Sequence, residues 1–258
     1  MRVGCAAYSY RDYLRAGKMS LGDFLKKGVE LGLDGVELTS YFFPSTDDAY
    51  LYSLKRQAYL LGLDVPAAAV GNNFCLEDAR ARAKQVALVK EWVDISVKLG
   101  TPCLRVFGGP IPKGHTEEEA FGWTAACLQE CVAYAEPKGI LLALENHGGI
   151  TATADQVLNL IKAVDSEWLR VNLDTGNYRG DPYEEIARTA PYAATAHAKT
   201  ELPAAEGKEA ADVERIVRIL DKAGYKGYLS IEYEAAADPM TAVPKFVAQL
   251  KRAVSGIR

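Results

Sequence analysis

Histidine is scarce in this chain, with three among 258 residues. That scarcity argues against chemistry built on a multi-zinc cluster, which needs many imidazoles. The five cysteines are odd in number and none stands at C-x-x-C spacing. Neither a disulfide framework nor a zinc–thiolate site is therefore expected. Cys127 and Cys131, four apart on one helix, read as buried small apolar residues. No apolar run approaches the length of a membrane span. The opening Met1–Ala7 reads as a strand without the apolar core of a signal peptide. Positive charge is not in excess either: 30 Lys and Arg stand against 34 Asp and Glu, a net charge of −4. Nothing in that balance draws the chain to nucleic acid or an anionic membrane. No Gly-x-Gly-x-x-Gly follows the first strand, which weakens a dinucleotide-binding sheet. A reducing, cytoplasmic setting is the default expectation.

What is present is an ordinary globular composition, 49% hydrophobic and 25% charged, in a chain long enough to bury a sizeable core. One phrase recurs: a helix tail, a glycine, a short step and an apolar run. It appears in Glu30–Leu38, Leu61–Val65, Lys98–Leu104, Pro137–Leu141 and Lys222–Leu229. Glycine just past a helix supplies the left-handed residue that stops it, and the apolar run is a buried parallel strand. Thr116/Glu119 and Thr153/Gln156 have capping-box spacing, while Asp181-Pro182 and Asp238-Pro239 set a cap before a first-turn proline. The pattern predicts strands over 2–8, 34–39, 64–70, 102–107, 140–145, 169–174, 193–198 and 227–232. Helices are predicted over 20–31, 47–61, 77–99, 117–136, 154–164, 183–190, 209–223 and 240–254. Eight alternating units in this length predict an α/β fold, a closed (β/α)8 TIM barrel occupying 1–258 as a single domain.

Chemistry in such a barrel sits where strands end. The fifth strand, Leu141-Leu142-Ala143-Leu144, runs without a polar face into Glu145, a carboxylate that needs compensation if buried. The sixth ends in Asp174, the seventh in His197 and the eighth in Glu232. Three carboxylates converging in one mouth repel one another unless a cation sits among them. Three oxygen ligands and one imidazole suit a single divalent ion, with Mn²⁺ the first choice and Mg²⁺, Co²⁺ or Zn²⁺ as alternatives. Alone, each residue has a bland structural reading; the set carries the metal. His147 shares the side of Glu145 in an extended Glu-x-His, which casts it as a proton carrier against the reading of a loop histidine. Lys199 repeats that spacing after His197, against the reading of a solvated lysine. Arg105, ending an apolar strand, is placed as a substrate anchor, and Tyr8 at the end of the first strand joins it. Glu37 is read either as a substrate residue or as a structurally paired one. His115 and the three tryptophans read as loop and packing residues.

Those strand ends resemble the xylose isomerase-like TIM barrels, the sugar phosphate isomerase/epimerase superfamily. The resemblance runs through Ala143–Gly149, Val171–Asn177, His197-Ala198-Lys199 and Leu229–Glu234. It implies that Glu145, Asp174, His197 and Glu232 hold one divalent metal, and that the substrate is a small sugar or polyol derivative. The implied chemistry removes a proton next to a carbonyl through a metal-stabilised enediolate, with Glu145 and Glu232 as the base pair. Isomerisation or epimerisation is the first expectation. Asn177 stands where many of the ketose epimerases carry a substrate-contacting His. Glu145/His147 with Lys199 and Arg105 looks like the dehydroshikimate-dehydratase branch and some keto-sugar lyases, so a lyase is the alternative, with His147 or Lys199 as base or acid. A nuclease of the endonuclease IV type is disfavoured by the few histidines and the acidic balance. No phosphate cradle is legible. Barrels of this kind often dimerise, which leaves a homodimer open.

Overall fold

The computed structural model describes residues 1–257. Eight parallel strands close into a barrel: β1 (Arg2–Ala6), β2 (Gly35–Thr39), β3 (Ala68–Ala69), β4 (Cys103–Phe107), β5 (Leu141–Glu145), β6 (Leu169–Asp174), β7 (Ala193–Ala198) and β10 (Tyr228–Ile231). Each pairs with its neighbour in sequence around the ring, and β10 closes it against β1. The intervening β8 (Glu201–Pro203) and β9 (Lys208–Ala210) form a separate antiparallel hairpin after β7. Outside the ring stand α2 (Leu21–Glu30), α3 (Asp48–Leu60), α4 (Ala79–Leu99), α5 (Glu117–Ala135), α6 (Ala154–Val164), α7 (Pro182–Thr189), α8 (Val213–Lys222) and α9 (Pro239–Ser255), with the one-turn α1 (Arg11–Arg15) at the β1 end.

The local signals act as expected. The side chains of Thr116 and Thr153 cap α5 and α6 in reciprocal boxes, and Asp181 and Asp238 cap the Pro-led α7 and α9. Ser20 and Asp23 form a further box on α2. The glycines of the recurrent phrase, Gly32, Gly62, Gly100, Gly139 and Gly224, all take positive φ.

Strand parity then sorts the side chains. Leu104, Val106, Leu142, Leu144, Val171, Leu173, Leu229 and Ile231 are fully buried beneath the helices. At roughly 1.5–3 kcal/mol for each such side chain, this layer drives the closure. The opposite parity points into a narrow interior of small residues, where Ala67, Cys103 and Ala143 form their own cluster.

Four expectations need correction. β1 ends at Ala6 and turns into a 3-10 helix over Ala7–Tyr10, so Tyr8 is not a strand residue. β3 shrinks to two residues, with Asp64 bridging Gly35 alone; Pro66 between them has no N–H to continue the ladder. Residues 208–210 belong to the hairpin, so α8 starts at Val213 under an Asp212 cap. β10 stops at Ile231, one residue before Glu232. Among the described residues, no helix is long and apolar enough to cross a membrane.

Candidate functional site

The register of the sheet brings the four polar strand ends together. Asp174 pairs with His197 across β6 and β7, and Asn172 with Glu145 across β5 and β6. One donor atom each from Glu145, Asp174, His197 and Glu232 lies within 4.8 Å of the other three, and all four residues are buried. His197 Nδ1 stands 3.5 Å from Glu232, 3.8 Å from Asp174 and 3.9 Å from Glu145. Asp174 Oδ1 accepts from the Gly176 N–H at 2.8 Å, while its buried Oδ2 has no aligned hydrogen bond.

Glu37 lies behind this cluster. Its Oε2 is 2.8 Å from His197 Nε2, and its Oε1 accepts from Thr195 at 3.0 Å and from Ser230. A carboxylate on Nε2 fixes the imidazole's orientation and turns Nδ1 toward the other three donors. Of the two readings of Glu37, the pairing is the one with contacts: both its oxygens are used inside the barrel. Arg105 is engaged likewise. Its guanidinium sits beside Glu145, with Nε 3.1 Å from Oε2, donates to the Val70 carbonyl at 3.2 Å, and lies 3.8 Å over the Phe107 ring. The contact with Glu145 lacks hydrogen-bond alignment and acts through charge.

Lys199 reaches into the cluster, with Nζ 2.5 Å from Glu232, 2.5 Å from Glu234 and 3.2 Å from Asp174. Asn177 points its amide at Glu145 Oε1, 3.5 Å away. His147 is exposed; its ring packs edge-on to Phe107 at 4.5 Å and its backbone N–H donates to Thr151. Tyr8 lies against Phe42, 6.5 Å between centroids, with the Arg11 guanidinium over its ring at 5.1 Å. His115 packs on Trp123 beside Glu77 and Glu119, away from this mouth.

Burial and neighbouring charge act against each other here. Burial pushes Glu145 up to about 7; Arg105 opposes it and Glu232 reinforces it. Burial also disfavours the charge on Glu232, but Lys199 and His197 outweigh it and hold that carboxyl well below its usual range. His197 and Lys199 resist burial in the same way, raised by Glu232 with Glu37 and by Asp174 with Glu232 and Glu234. Burial and Arg105 lower His147. Without a metal, the chain therefore neutralises its own carboxylates with a protonated imidazole and an ammonium. A divalent ion fits this donor set: Asp174 Oδ2 accepts no hydrogen bond and faces the Lys199 ammonium, 3.2 Å away, and His197 Nδ1 is turned toward the three carboxylates.

Several residues that matter here carried no role in the sequence reading. Asn146 exchanges two 2.8 Å hydrogen bonds with the Asp174 backbone, and so holds the end of β6 to the loop after β5. Asn172 donates to Glu145 at 3.0 Å. Thr195 and Ser230 hold Glu37. A signal existed: Asn172, Thr195 and Ser230 each stand two residues before Asp174, His197 and Glu232, the same inward parity one layer down. Beside Lys199 and Glu234 lies a small recess of about 30 Å³, room for about one water, lined also by Gly176, Asn177 and Lys208, among others.

The model of the xylose isomerase-like TIM barrel family matches residues 25–252. No curated protein matches the chain. Among solved structures, a D-tagatose 3-epimerase-like protein is similar with a TM-score of 0.82 at 18% identity, over 99% of each chain. L-ribulose 3-epimerase reaches 0.79 at 20% identity, over 99% of this chain and 95% of that one. A xylose isomerase-like TIM barrel protein from Mycobacterium smegmatis in complex with magnesium reaches 0.74 at 17%, over 98% and 97%. At these identities the likeness is one of fold.

Proposed function

Because the chain belongs to the xylose isomerase-like TIM barrel family, we propose that it is a divalent-metal-dependent sugar isomerase or epimerase. The observation that carries the reading is the buried quartet of Glu145, Asp174, His197 and Glu232, with one donor atom each inside 4.8 Å. Mn²⁺ is the proposed ion, with Mg²⁺, Co²⁺ and Zn²⁺ as alternatives. Bound there, the ion would supply a Lewis acid for a carbonyl and the adjacent hydroxyl.

This chain's own groups do the rest. Glu145 and Glu232 flank the reacting carbons: one takes the proton next to the carbonyl, the other returns one. Asn172 and Asn177 hold Glu145 in place. Asn177, beside the small recess, contacts the sugar hydroxyls, and Tyr8 with Phe42 forms an aromatic side of the mouth. Lys199 is spent on carboxylates, which favours an uncharged sugar over a phosphorylated one.

A dehydratase or lyase would draw its proton carrier from His147 or Lys199. Lys199 is held protonated, and His147 is turned against Phe107. The solved structures with named activities above are an epimerase and an epimerase-like protein, which also favours the first reading. The test is incubation with free ketoses and Mn²⁺ in D₂O. An epimer or aldose carrying deuterium at the carbon next to the carbonyl, lost in Glu145→Gln, is the expected result. An enone formed with loss of water or an aglycone would overturn it.

A further inference from the structure

Two of the four donors already share a cation of the chain's own. Lys199 Nζ lies 2.5 Å from Glu232 Oε2 and 3.2 Å from Asp174 Oδ2, and 2.5 Å from Glu234, a carboxylate outside the quartet. The fold makes room for this lysine. A Cβ on Gly176 would stand 2.7 Å from Lys199 Cγ and 3.1 Å from its Cβ. Gly176 is not among the positive-φ glycines, so its smallness serves the lysine stem and not the backbone. The Lys199 N–H is tied to Thr175 Oγ1 at 3.0 Å, so any movement belongs to the flexible side chain.

A divalent ion on Asp174 and Glu232 would meet an ammonium on the same two residues, in a buried place where like charges are poorly screened. Glu234 offers the way out. Its side chain is 38% exposed against 7% for Lys199, so it can keep the ammonium partnered at the edge of the recess.

We propose that Lys199 is a built-in competitor for the metal: uptake is an exchange in which its ammonium leaves Asp174 and Glu232 and stays on Glu234. The inference rests on the metal reading of the quartet. Glu234 is then a positioning residue, whose task is to hold the displaced lysine. Metal affinity is set below what the four donors alone would give, and removing the lysine raises it.

The test is titration of metal-stripped protein with Mn²⁺ alone, by calorimetry, with no substrate present. Lys199→Met is expected to bind about tenfold tighter than the wild type, from the loss of a like charge at contact range. Glu234→Gln, at a partly exposed position that leaves folding intact, is expected to bind about threefold weaker, because the displaced ammonium loses its acceptor. In the double variant the Glu234 effect should vanish; a mere change in local field would leave it standing. Equal or weaker binding by Lys199→Met overturns the inference while the metal reading survives. If Lys199→Met does not fold, an unchanged affinity in Glu234→Gln overturns it. Absence of Mn²⁺, Mg²⁺, Co²⁺ and Zn²⁺ uptake by the wild type removes the metal reading and this inference together.

Discussion

Where the barrel strands begin, Arg2, Asp64 and Tyr228 meet at the surface, with Arg2 and Asp64 side chains 60% and 57% exposed and 2.5 Å apart. Where the strands finish, Glu145, Asp174, His197 and Glu232 meet with almost no exposure. The same kinds of group do different work at the two ends because water does different work. At the open end it solvates each charge whether or not the partner is present, so the pairing contributes little. At the closed end each charge depends on its neighbours, and a lost partner leaves an uncompensated ion. That dependence is what sets Lys199 on Asp174 Oδ2, 3.2 Å away, and burial is what pushes Glu145 up to about 7.

The comparison breaks first at Asp174. Asp174→Asn is expected to lower Mn²⁺ retention by about 100-fold or more, and Glu37→Gln by about 10- to 100-fold through the imidazole it orients. Equilibrium dialysis with elemental analysis measures both. Equal losses would make Glu37 a ligand and not a support for His197.

Proton linkage sharpens the contrast next. In the metal-free protein, Glu145 is raised to about 7 by burial, and His197 well above its usual value by Glu232 and Glu37 against burial. Both must lose a proton to serve as ligands, so binding releases protons. Mn²⁺ affinity should therefore tighten as pH rises through about 7 while Glu145 deprotonates, and further as His197 does. Titrations in buffers of different ionisation enthalpy count the protons; a flat profile would contradict the shifts.

A smaller effect separates two buried amides of like geometry. Asn146 clamps the Asp174 backbone, and Asn72 clamps the Phe107 backbone with bonds of 2.7 and 2.9 Å. Replacing either by Ala should cost about 1–3 kcal/mol in denaturant unfolding, through unsatisfied backbone groups. Only Asn146→Ala should also weaken Mn²⁺ binding, because only Asn146 holds a ligand. Smallest of all, Arg2→Ala should move Tm by no more than about 2 °C, since its partner stays hydrated.

Much of this was legible in the chain. The quartet could be named because each member ends an apolar run, and apolar runs after helix-stopping glycines are strands. Short-range chemistry governs both features. The errors share a different cause. Tyr8 and β3 failed where a local turn or Pro66 overrode an apolar pattern. The hairpin over 201–210 was missed because its short alternating strands, one of them fully exposed, carry no apolar signal. Glu37 stayed open between two roles, and Arg105 had no partner to name, because an inward-pointing charge at a strand end is ambiguous until its partner is known.

By itself, then, the sequence determined the order of the eight barrel strands and their helices, the inward parity of the later strands and the four polar strand ends that meet in the mouth, all through interactions within a turn or two of chain. Only the tertiary structure decided what each donor faces. Glu37 reaches His197 across 160 residues and Ser230 across 193, contacts that exist only because β10 closes the ring against β1. The physical reason is that closure sets the stagger between distant strands. That stagger decides whether a buried charge meets a metal, a substrate or another side chain.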